Sequence, residues 1–374
     1  MSNNLLSGGL TNGWMYWKAL VIIRLGDNNL SGTIPPSISF LANLKILHLN
    51  NNNLFGEIPL SLKYCQNLQI FDVGGNKFSG SIPKWIGHNA KILQFRSNQI
   101  SGNIPPEICQ SESLIILDLA YNKISGIIPS CLHNMTAMRQ ASSSNVVTTF
   151  CGKIFCSNSI YGDNVMLHIK GLELIYEENV KFTRAIDLSN NDMSGIIPQE
   201  VFSLSELHSL NLSHNQFEGS VSKEIGKLNQ LESLDLANNK FSGEIPRSLA
   251  QLSFLGTLNL SFNNFSRMIP LGTQLQGFDE LSYIGNPELC GAPLPKNCSD
   301  KKDVKPIEEN DTDQEDEFLA SFYIASGVGF FVAFWGVCIA IFCISSFRNS
   351  YFRFLFSIRD KLYVMVALTM NRFG

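Results

Sequence analysis

The stretch LESLDLANNKFSGEIP, Leu231–Pro246, decides the fold, because near-copies of it recur along the chain with a usual spacing of 24 residues. Each copy has apolar residues at the positions of Leu234 and Leu236 and an asparagine at the position of Asn239, and most copies have Gly and Pro near their end. Chance enrichment in leucine does not produce so many copies in one frame. The anchoring asparagines of the full copies are Asn28, Asn52, Asn76, Asn98, Asn122, Asn191, Asn215, Asn239 and Asn263.

The spacing of the leucines predicts coils that stack on one another. Leu234 and Leu236 lie two residues apart, so both point to the same side of an extended strand. One coil cannot bury them alone, whereas stacked coils place strands about 4.8 Å apart and share one apolar core. The array is a leucine-rich repeat. We predict a solenoid, a right-handed α/β-type superhelix with a parallel β-sheet on its concave face.

The anchor asparagines are predicted to form a structural ladder. Each lies at the bend after its strand, where the amide offers two donors and an acceptor to neighbouring backbone. The Gly and Pro that follow favour an extended, turning return path. Their repetition indicates one hydrogen-bonded row along the solenoid.

Breaks in this pattern divide the chain. We assign residues 1–137 to repeats, the first one partial, 138–182 to an insertion, 183–270 to four further repeats and 271–299 to a C-terminal cap. Residues 300–317 form an acidic juxtamembrane spacer, 318–347 a transmembrane helix and 348–374 a short basic cytoplasmic tail. Met1 falls where a repeat has its strand leucine, and no secretory signal precedes Trp14. We therefore expect the C-terminal portion of a longer protein, or a truncated gene product.

Two irregularities interrupt the array. Asn76 and Asn98 are 22 residues apart, and Ala90 replaces a core leucine, so we expect a local distortion there. The insertion contains Cys151 and Cys156 and ends in the segment VMLHIKGLELIYEENVKF. Long interruptions of a regular array are either tolerated surface loops or functional ones, and we favour a functional one.

The open strand face of the first coils varies in chemistry, as a specific binding surface requires. Solvated polar residues on an exposed face are the alternative interpretation. The candidate ligand-binding residues are Arg24, Asp27, His48, Asp72, Gln94, Arg96, Asp118 and Tyr121. The last four coils read IDLSN, LNLSH, LDLAN and LNLSF, which is typical of scaffold or of a shared docking surface. Among them, Arg267 replaces the usual Gly, which predicts strain if that position needs a positive φ.

Cysteines and glycosylation sequons favour an oxidising, secretory compartment. Cys290 and Cys298 are predicted to close the C-terminal end, and Cys109 and Cys131 to bridge adjacent coils. A zinc site is the rival interpretation, but histidines at ligand spacing are lacking. The N-glycosylation candidates, which arise easily by chance in Asn-rich repeats, are Asn29, Asn134, Asn211, Asn259, Asn264, Asn297 and Asn310.

A membrane span follows the spacer. Residues 318–347 are uncharged, more than the roughly 20 residues that a helix needs to cross a bilayer. Acidic residues precede it and basic residues follow it, so the solenoid is expected outside and the C-terminus in the cytoplasm. Small residues recur every four positions on one helix face, where they would let a partner helix approach closely; they are Ser321, Ala325, Gly329 and Ala333.

In order and in motif, the chain resembles a plant leucine-rich-repeat receptor-like protein. The resemblance rests on the L-S-G-x-I-P repeats, the insertion ending KGLELIYEENVKFTRAIDLSNNDMSG, the segment PLGTQLQGFDELSYIGNPELCGAPLP, the acidic spacer, one span and a short tail. It implies a plasma-membrane receptor for defence or development that has no kinase and signals through receptor-like kinase partners. It also implies that the insertion and the coils after it contact a ligand or co-receptor.

Three functions compete at this point. A kinase-less receptor would bind an extracellular peptide, protein or glycan; a soluble inhibitor of cell-wall-degrading enzymes is disfavoured by the span; and the start at Met1 favours a truncated or decoy receptor. No enzyme is expected, because no catalytic constellation stands outside the repeat-register positions. We expect no cofactor, no metal and no nucleic-acid partner; the net charge is −4.

Overall fold

The structure is a computed structural model that describes residues 1–87, 89–140 and 182–298, together with the backbone of two strands, Val165–Ile169 and Leu172–Tyr176. The spacer, the span with its row of small residues, the tail, Cys151, Cys156 and Asn310 lie outside these residues. Within the described residues, no helix is long and apolar enough to cross a bilayer.

One long parallel sheet, which we call the concave sheet, carries one strand from each coil. Its side chains alternate, so that Leu47, Leu117 and Leu234 point into the core while their neighbours point outward. The strands are Ile22–Arg24, Ile46–His48, Ile70–Asp72, Ile92–Gln94, Ile116–Asp118, Ala185–Asp187, Ser209–Asn211, Ser233–Asp235 and Thr257–Asn259. Ile116–Asp118 pairs directly with Ala185–Asp187, so the sheet continues across the insertion.

The return path of each coil contains a second strand and a 3-10 turn. The second-sheet strands are Ser7–Gly9, Asn29–Gly32, Asn53–Glu57 and Lys77–Ser79 in one group, and Ser101–Gly102, Lys123–Gly126, Asp192–Gly195, Gln216–Gly219, Lys240–Glu244, Asn264–Met268 and Glu288–Cys290 in another. The 3-10 turns are Gly13–Tyr16, Pro36–Phe40, Leu60–Tyr64, Lys84–Gly87, Pro106–Gln110, Ser130–Asn134, Gln199–Ser203, Lys223–Lys227, Arg247–Gln251 and Glu280–Ser282.

This return path corrects the expectation of an α/β-type coil. The described α-helices are only Thr136–Arg139 and Thr273–Gln276, of four residues each. Most turns follow a proline such as Pro246, with φ −62°, and end within five residues, which leaves no room for an α-helix of several turns. At the coil where Ser222 replaces proline, its hydroxyl caps the turn by accepting from the Glu224 N–H at 3.2 Å.

The short coil breaks the second sheet. Lys77–Ser79 ends one group of strands and Ser101–Gly102 begins the other, and a single bridge between Ser81 and Ser101 joins them. Ala90 leaves a cavity of about 30 Å³ beside Cys65 and Trp85. The expected distortion is therefore present on the return side, while the concave sheet passes through it unbroken.

The core is one apolar column along the solenoid. Phe217, Phe241 and Phe265 stack in consecutive coils, with ring centroids 6.2 and 6.3 Å apart. Met138 is fully buried in this core and its carbonyl accepts from the Glu206 N–H, so we place the start of the insertion after Gln140 rather than at 138. At the N-terminal end, a cavity of about 510 Å³ is lined by apolar residues including Trp14, Trp17 and Leu20.

The anchor asparagines are joined to backbone in every coil. Asn191 is typical: its Oδ1 accepts from the Ile124 N–H at 2.9 Å, and its Nδ2 donates to the carbonyls of Leu119, Leu188 and Ser189 at 3.0 to 3.1 Å. The residue before each anchor is left-handed, with φ between 51° and 62°. Sequence reasoning missed one rung, Asn286 in the cap, whose amide makes the same kind of bonds to Phe265, Leu260 and Tyr283.

The cap closes the C-terminal end with a tyrosine and a disulfide. Tyr283 occupies a leucine position, is fully buried and donates its hydroxyl to the Leu275 carbonyl at 2.7 Å. A disulfide joins Cys290 to Cys298. A second joins Cys109 to Cys131 on adjacent coils, with Cα atoms 5.8 Å apart.

Candidate functional site on the concave sheet

Most of the candidate ligand-binding residues form one column on the concave sheet. They are the last residues of consecutive strands, and the strand register places Arg24 beside His48, Asp72, Gln94 and Asp118 in that order. Arg96 lies two residues beyond Gln94. The column gives the coils anchored at Asn28 to Asn122 a face on which neighbouring side chains differ in charge and size.

A charged cluster stands at the centre of this face. Arg96 Nε donates to Asp118 Oδ2 at 2.8 Å, and Arg96 Nη2 donates to Asp187 Oδ2. The Arg96 guanidinium also lies over the Tyr121 ring, 5.4 Å from its centroid. The Arg96, Asp118 and Asp187 side chains are only 5 to 12 % exposed. We call these four residues the Arg96 cluster. One cation held by two carboxylates and a ring is a rigid arrangement of charge.

Asp187 is the member that sequence reasoning missed. It belongs to the coil after the insertion, whose face IDLSN is typical of scaffold or of a shared docking surface. Its position in the repeat could have identified it, because Asp187 in IDLSN corresponds to Asp118 in LDLAY. Sheet pairing then brings the two carboxylates side by side.

The acidic and amide residues of the column also have a structural role. The Asp and Asn side chains accept a hydrogen bond from the backbone N–H two residues ahead, as Asp72 does from Gly74 at 3.0 Å and Asp235 from Ala237 at 3.0 Å. Asp187 accepts from both the N–H and the hydroxyl of Ser189. Such bonds stabilise the bend that follows the strand. The residue type in this column is therefore partly set by the fold.

Burial changes the acidity of these carboxyl groups. Burial, with smaller contributions from Asp118 and Asp27, raises the pKa of Asp72 to about 7, against the bond from Gly74. Burial and the neighbouring Asp187 also raise the pKa of Asp118, although Arg96 opposes them. Burial likewise raises the pKa of Asp235.

An apolar column runs beside the charged one. Ile46, Ile70, Ile92 and Ile116 occupy the first positions of their strands, point away from the main core, and are each no more than 2 % exposed. Ala185 continues the column, and Ser209, Ser233 and Thr257 follow it in the later coils. The first half of the sheet thus carries a buried apolar column beside the charged one.

The other two candidates, Asp27 and Tyr121, stand at the bends. Both have φ near 55°, a conformation that is costly for a bulky side chain. Asp27 accepts from the Asn51 side chain at 2.7 Å. Tyr121 is 52 % exposed although it packs on Arg96, so it presents an aromatic face at the edge of the cluster.

The described sequons fall into two groups. Asn29, Asn134, Asn264 and Asn297 are exposed, whereas Asn211 and Asn259 are half-buried within concave strands. Among residues 1–87, 89–140 and 182–298, no three His, Cys, Asp or Glu side chains are grouped as metal ligands.

Comparison with protein families agrees with this geometry. The family described as Leucine Rich Repeat matches residues 19–41, 43–65, 67–89, 113–135, 206–228 and 230–252. The coils anchored at Asn98, Asn191 and Asn263 fall outside these segments, yet their concave strands pair in register with the rest.

A curated relative narrows the family. Receptor-like protein EIX2 of Solanum lycopersicum is 49 % identical over 251 residues, which are 65 % of this chain and 24 % of that protein. Over the matched residues, this chain is similar to the plant leucine-rich-repeat receptor-like proteins. The match spans about a quarter of the length of that relative.

Solved receptor ectodomains share the fold of this chain. The ectodomain of the Arabidopsis receptor kinase HAESA, in complex with an N-terminally extended IDA peptide hormone, aligns with a TM-score of 0.63 and 32 % identity over 80 % of this chain and 43 % of that one. HAESA in complex with IDA and the co-receptor SERK1 aligns with a TM-score of 0.60 and 27 % identity, over 80 % of this chain and 46 % of that one.

Proposed function

We propose that this chain is the ligand-recognition part of a non-enzymatic cell-surface receptor, that its concave sheet binds an extracellular peptide or protein, and that a receptor-like kinase partner carries the signal. The observation that carries the proposal is the Arg96 cluster beside the apolar column on one rigid sheet. HAESA, of the same fold, is seen with a peptide hormone and with a co-receptor. We propose that this chain likewise binds a peptide and associates with a co-receptor.

The chemistry of the face favours an extended peptide with a cationic group. Asp72, Asp118 and Asp187 place three carboxylates on this face, and Arg96 binds the last two of them. A lysine or arginine of the ligand placed against Asp72 would make a charge-assisted hydrogen bond. Binding would also stabilise the ionised form of Asp72, so affinity should rise between about pH 6 and pH 8.

Placement in the plasma membrane rests on residues 318–347 and their flanking charges, with the solenoid outside. The row of Ser321, Ala325, Gly329 and Ala333 is the proposed surface for a partner helix. A truncated or decoy receptor would bind the same ligand without recruiting a kinase. Ligand binding and partner recruitment therefore have to be measured separately.

The test uses the full chain in lipid nanodiscs and two pools of fluorescent synthetic peptides, one carrying Lys and Arg among apolar residues and one carrying Glu instead. We expect the basic pool to bind, and Asp72→Asn to weaken the binding by about tenfold or more. Asp235→Asn is the matched control, since it removes a carboxylate from the same column outside the Arg96 cluster, and it should change affinity by less than about twofold. Equal binding of both pools would count against the proposed ligand class.

Recruitment is measured in plant membranes by co-precipitation of SERK1 with the full chain, before and after addition of the bound peptides. Peptide-dependent recovery is expected for a receptor. Binding without recruitment identifies a decoy.

A further inference from the structure

We infer that, among the sequons within the described coils, N-linked glycans are confined to the flanks of the solenoid, at Asn29, Asn134 and Asn264, and that the sequons Asn211 and Asn259 on the concave sheet carry none in the folded chain. The inference goes beyond ligand binding, and rests only on the proposed placement of the solenoid outside the cell. It assigns modification sites, and it predicts that the concave face of the coils carries no glycan.

The two concave sequons arise from the fold itself. Asn211 Oδ1 accepts from both the N–H and the hydroxyl of Ser213, at 3.1 and 2.8 Å. Asn259 makes the same pair of bonds with Ser261, at 3.2 and 2.7 Å. Asp187 does so with Ser189, at 3.0 and 2.7 Å, without being a sequon. At these positions Asn-x-Ser thus forms the same structural hydrogen bonds as Asp-x-Ser, with an amide oxygen in place of a carboxylate oxygen.

A sugar does not fit these two positions. Asn211 pairs in register with Asp187 on one side and Asp235 on the other, and neighbouring strands are about 4.8 Å apart. A glycan on its Nδ2 would cover both carboxylates and remove their solvation. Asn259 Nδ2 already donates to Asp235 Oδ2 at 3.4 Å. The sequon serines are themselves buried, with Ser213 4 % and Ser261 5 % exposed.

The flank sequons have none of these constraints. Asn29 and Asn264 begin second-sheet strands and are exposed. Other coils carry exposed polar residues at this position, such as Lys77 and Lys240, so the fold does not require asparagine there. Asn134 is exposed at the end of the turn Ser130–Asn134. No Nδ2 hydrogen bond from these three asparagines is formed within the described part of the chain, which leaves the nitrogen open to modification.

The matched test places new sequons in both settings by single substitutions. Asp187→Asn creates a third concave copy of Asn-Leu-Ser, whereas Lys240→Asn creates a copy of the Asn-Phe-Ser that begins at Asn264. The full chain, fused to a secretion signal, is made in plant cells, and only molecules at the cell surface are collected. Release of glycans by glycosidase in heavy-oxygen water then marks each occupied asparagine for mass spectrometry.

We expect label at Asn29, Asn134 and Asn264 in the parent chain and one additional labelled site with Lys240→Asn. We expect none at Asn211, at Asn259 or at the position changed by Asp187→Asn. Label at any concave site in surface molecules overturns the inference, as does its absence from the flank sites of a chain that has reached the surface. If Asp187→Asn prevents folding, the unlabelled state of Asn211 and Asn259 in the parent chain still decides the matter. Peptide binding is measured independently, so failure here leaves the receptor proposal standing.

Discussion

Asp118 and Asp187 lie side by side on neighbouring parallel strands, although the insertion separates them in sequence, and one guanidinium, that of Arg96, binds both. Two carboxylates at this distance repel each other, and burial strengthens the repulsion. Arg96 therefore holds together the two halves of the array at the point where the insertion leaves it.

Removal of Arg96 should destabilise the solenoid more than loss of an exposed charge. Arg96→Met leaves two buried carboxylates without their cation, and we expect a loss of about 2–4 kcal/mol in the free energy of unfolding, measured by urea denaturation. Adding Asp118→Asn should recover part of that loss, since it removes the repulsion. Arg247→Met, in a turn, is the control, with an expected change below about 0.5 kcal/mol. A double variant no more stable than Arg96→Met would contradict the role given to repulsion.

Acid should stabilise the fold between about pH 7 and pH 4. The pKa of Asp72 is raised from 3.8 to about 7, so the folded chain binds more protons than the unfolded chain across that window. Stability is then largest below the ordinary carboxyl pKa and decreases as pH rises through the raised value. Urea denaturation across this range should show the slope, and Asp72→Asn should flatten it. Asp279→Asn, at an exposed carboxyl, should leave the slope unchanged; the same flattening there would refute the assignment to Asp72.

The asparagine ladder should be sensitive at every rung. Asn191→Ala leaves the Ile124 N–H and three carbonyls without their side-chain partner in a buried site, and we expect a loss of about 2–3 kcal/mol. Asn229 is exposed and makes no side-chain hydrogen bond within the described residues, so Asn229→Ala should cost less than about 0.5 kcal/mol. Hydrogen exchange should show faster exchange at Ile124 for the first variant alone. Similar losses of stability from Asn191→Ala and Asn229→Ala would contradict a stabilising role of the asparagine ladder.

Arg267 should be replaceable with a gain in stability. Its φ is 66°, at a position where the other coils have glycine with φ near 80°, and its ion pair with Glu244 is exposed. Arg267→Gly relieves the left-handed strain, and we expect a gain of about 0.5–1 kcal/mol after the larger chain entropy of glycine is subtracted. Arg247→Gly, within a turn, should instead destabilise. A loss of stability with Arg267→Gly would mean that the ion pair outweighs the strain.

The insertion should be removable without loss of the array. Ile116 pairs with Ala185 and Asn191 bonds to Leu119, so the coils on either side contact each other directly. Deleting residues 141–181 and rejoining the ends through a short Gly/Ser linker should preserve cooperative unfolding, because each coil depends mainly on its neighbours. Association with peptide or with SERK1 should be lost. A deletion variant that binds peptide and SERK1 as the parent chain does would contradict a functional role of the insertion.

Much of the fold follows from the sequence. A usual period of 24 residues, with inward leucines two apart and an asparagine at each bend, leaves a stack of parallel coils as the way to bury every leucine. The short spacing between Asn76 and Asn98 also located the break in the second sheet, because two missing residues cannot be absorbed by a strand whose partner is fixed on both sides. The strain at Arg267 was equally readable, since glycine occupies that position elsewhere.

The candidate site was only partly readable from sequence. Periodicity assigned Arg96, Asp118 and Tyr121 to the open face, but it could not tell that they meet, nor that Asp187 joins them across the insertion. Which carboxylate shares a cation depends on strand register and side-chain rotamers, which are tertiary properties. The sequence did not predict the rung at Asn286 for a related reason. The cap lacks the leucine spacing of the repeats and keeps only their pattern of asparagine-to-backbone hydrogen bonds. Sequence by itself determined where each residue falls within its coil, because the repeat fixes it; only the packing of one coil on the next decided which of these residues act together.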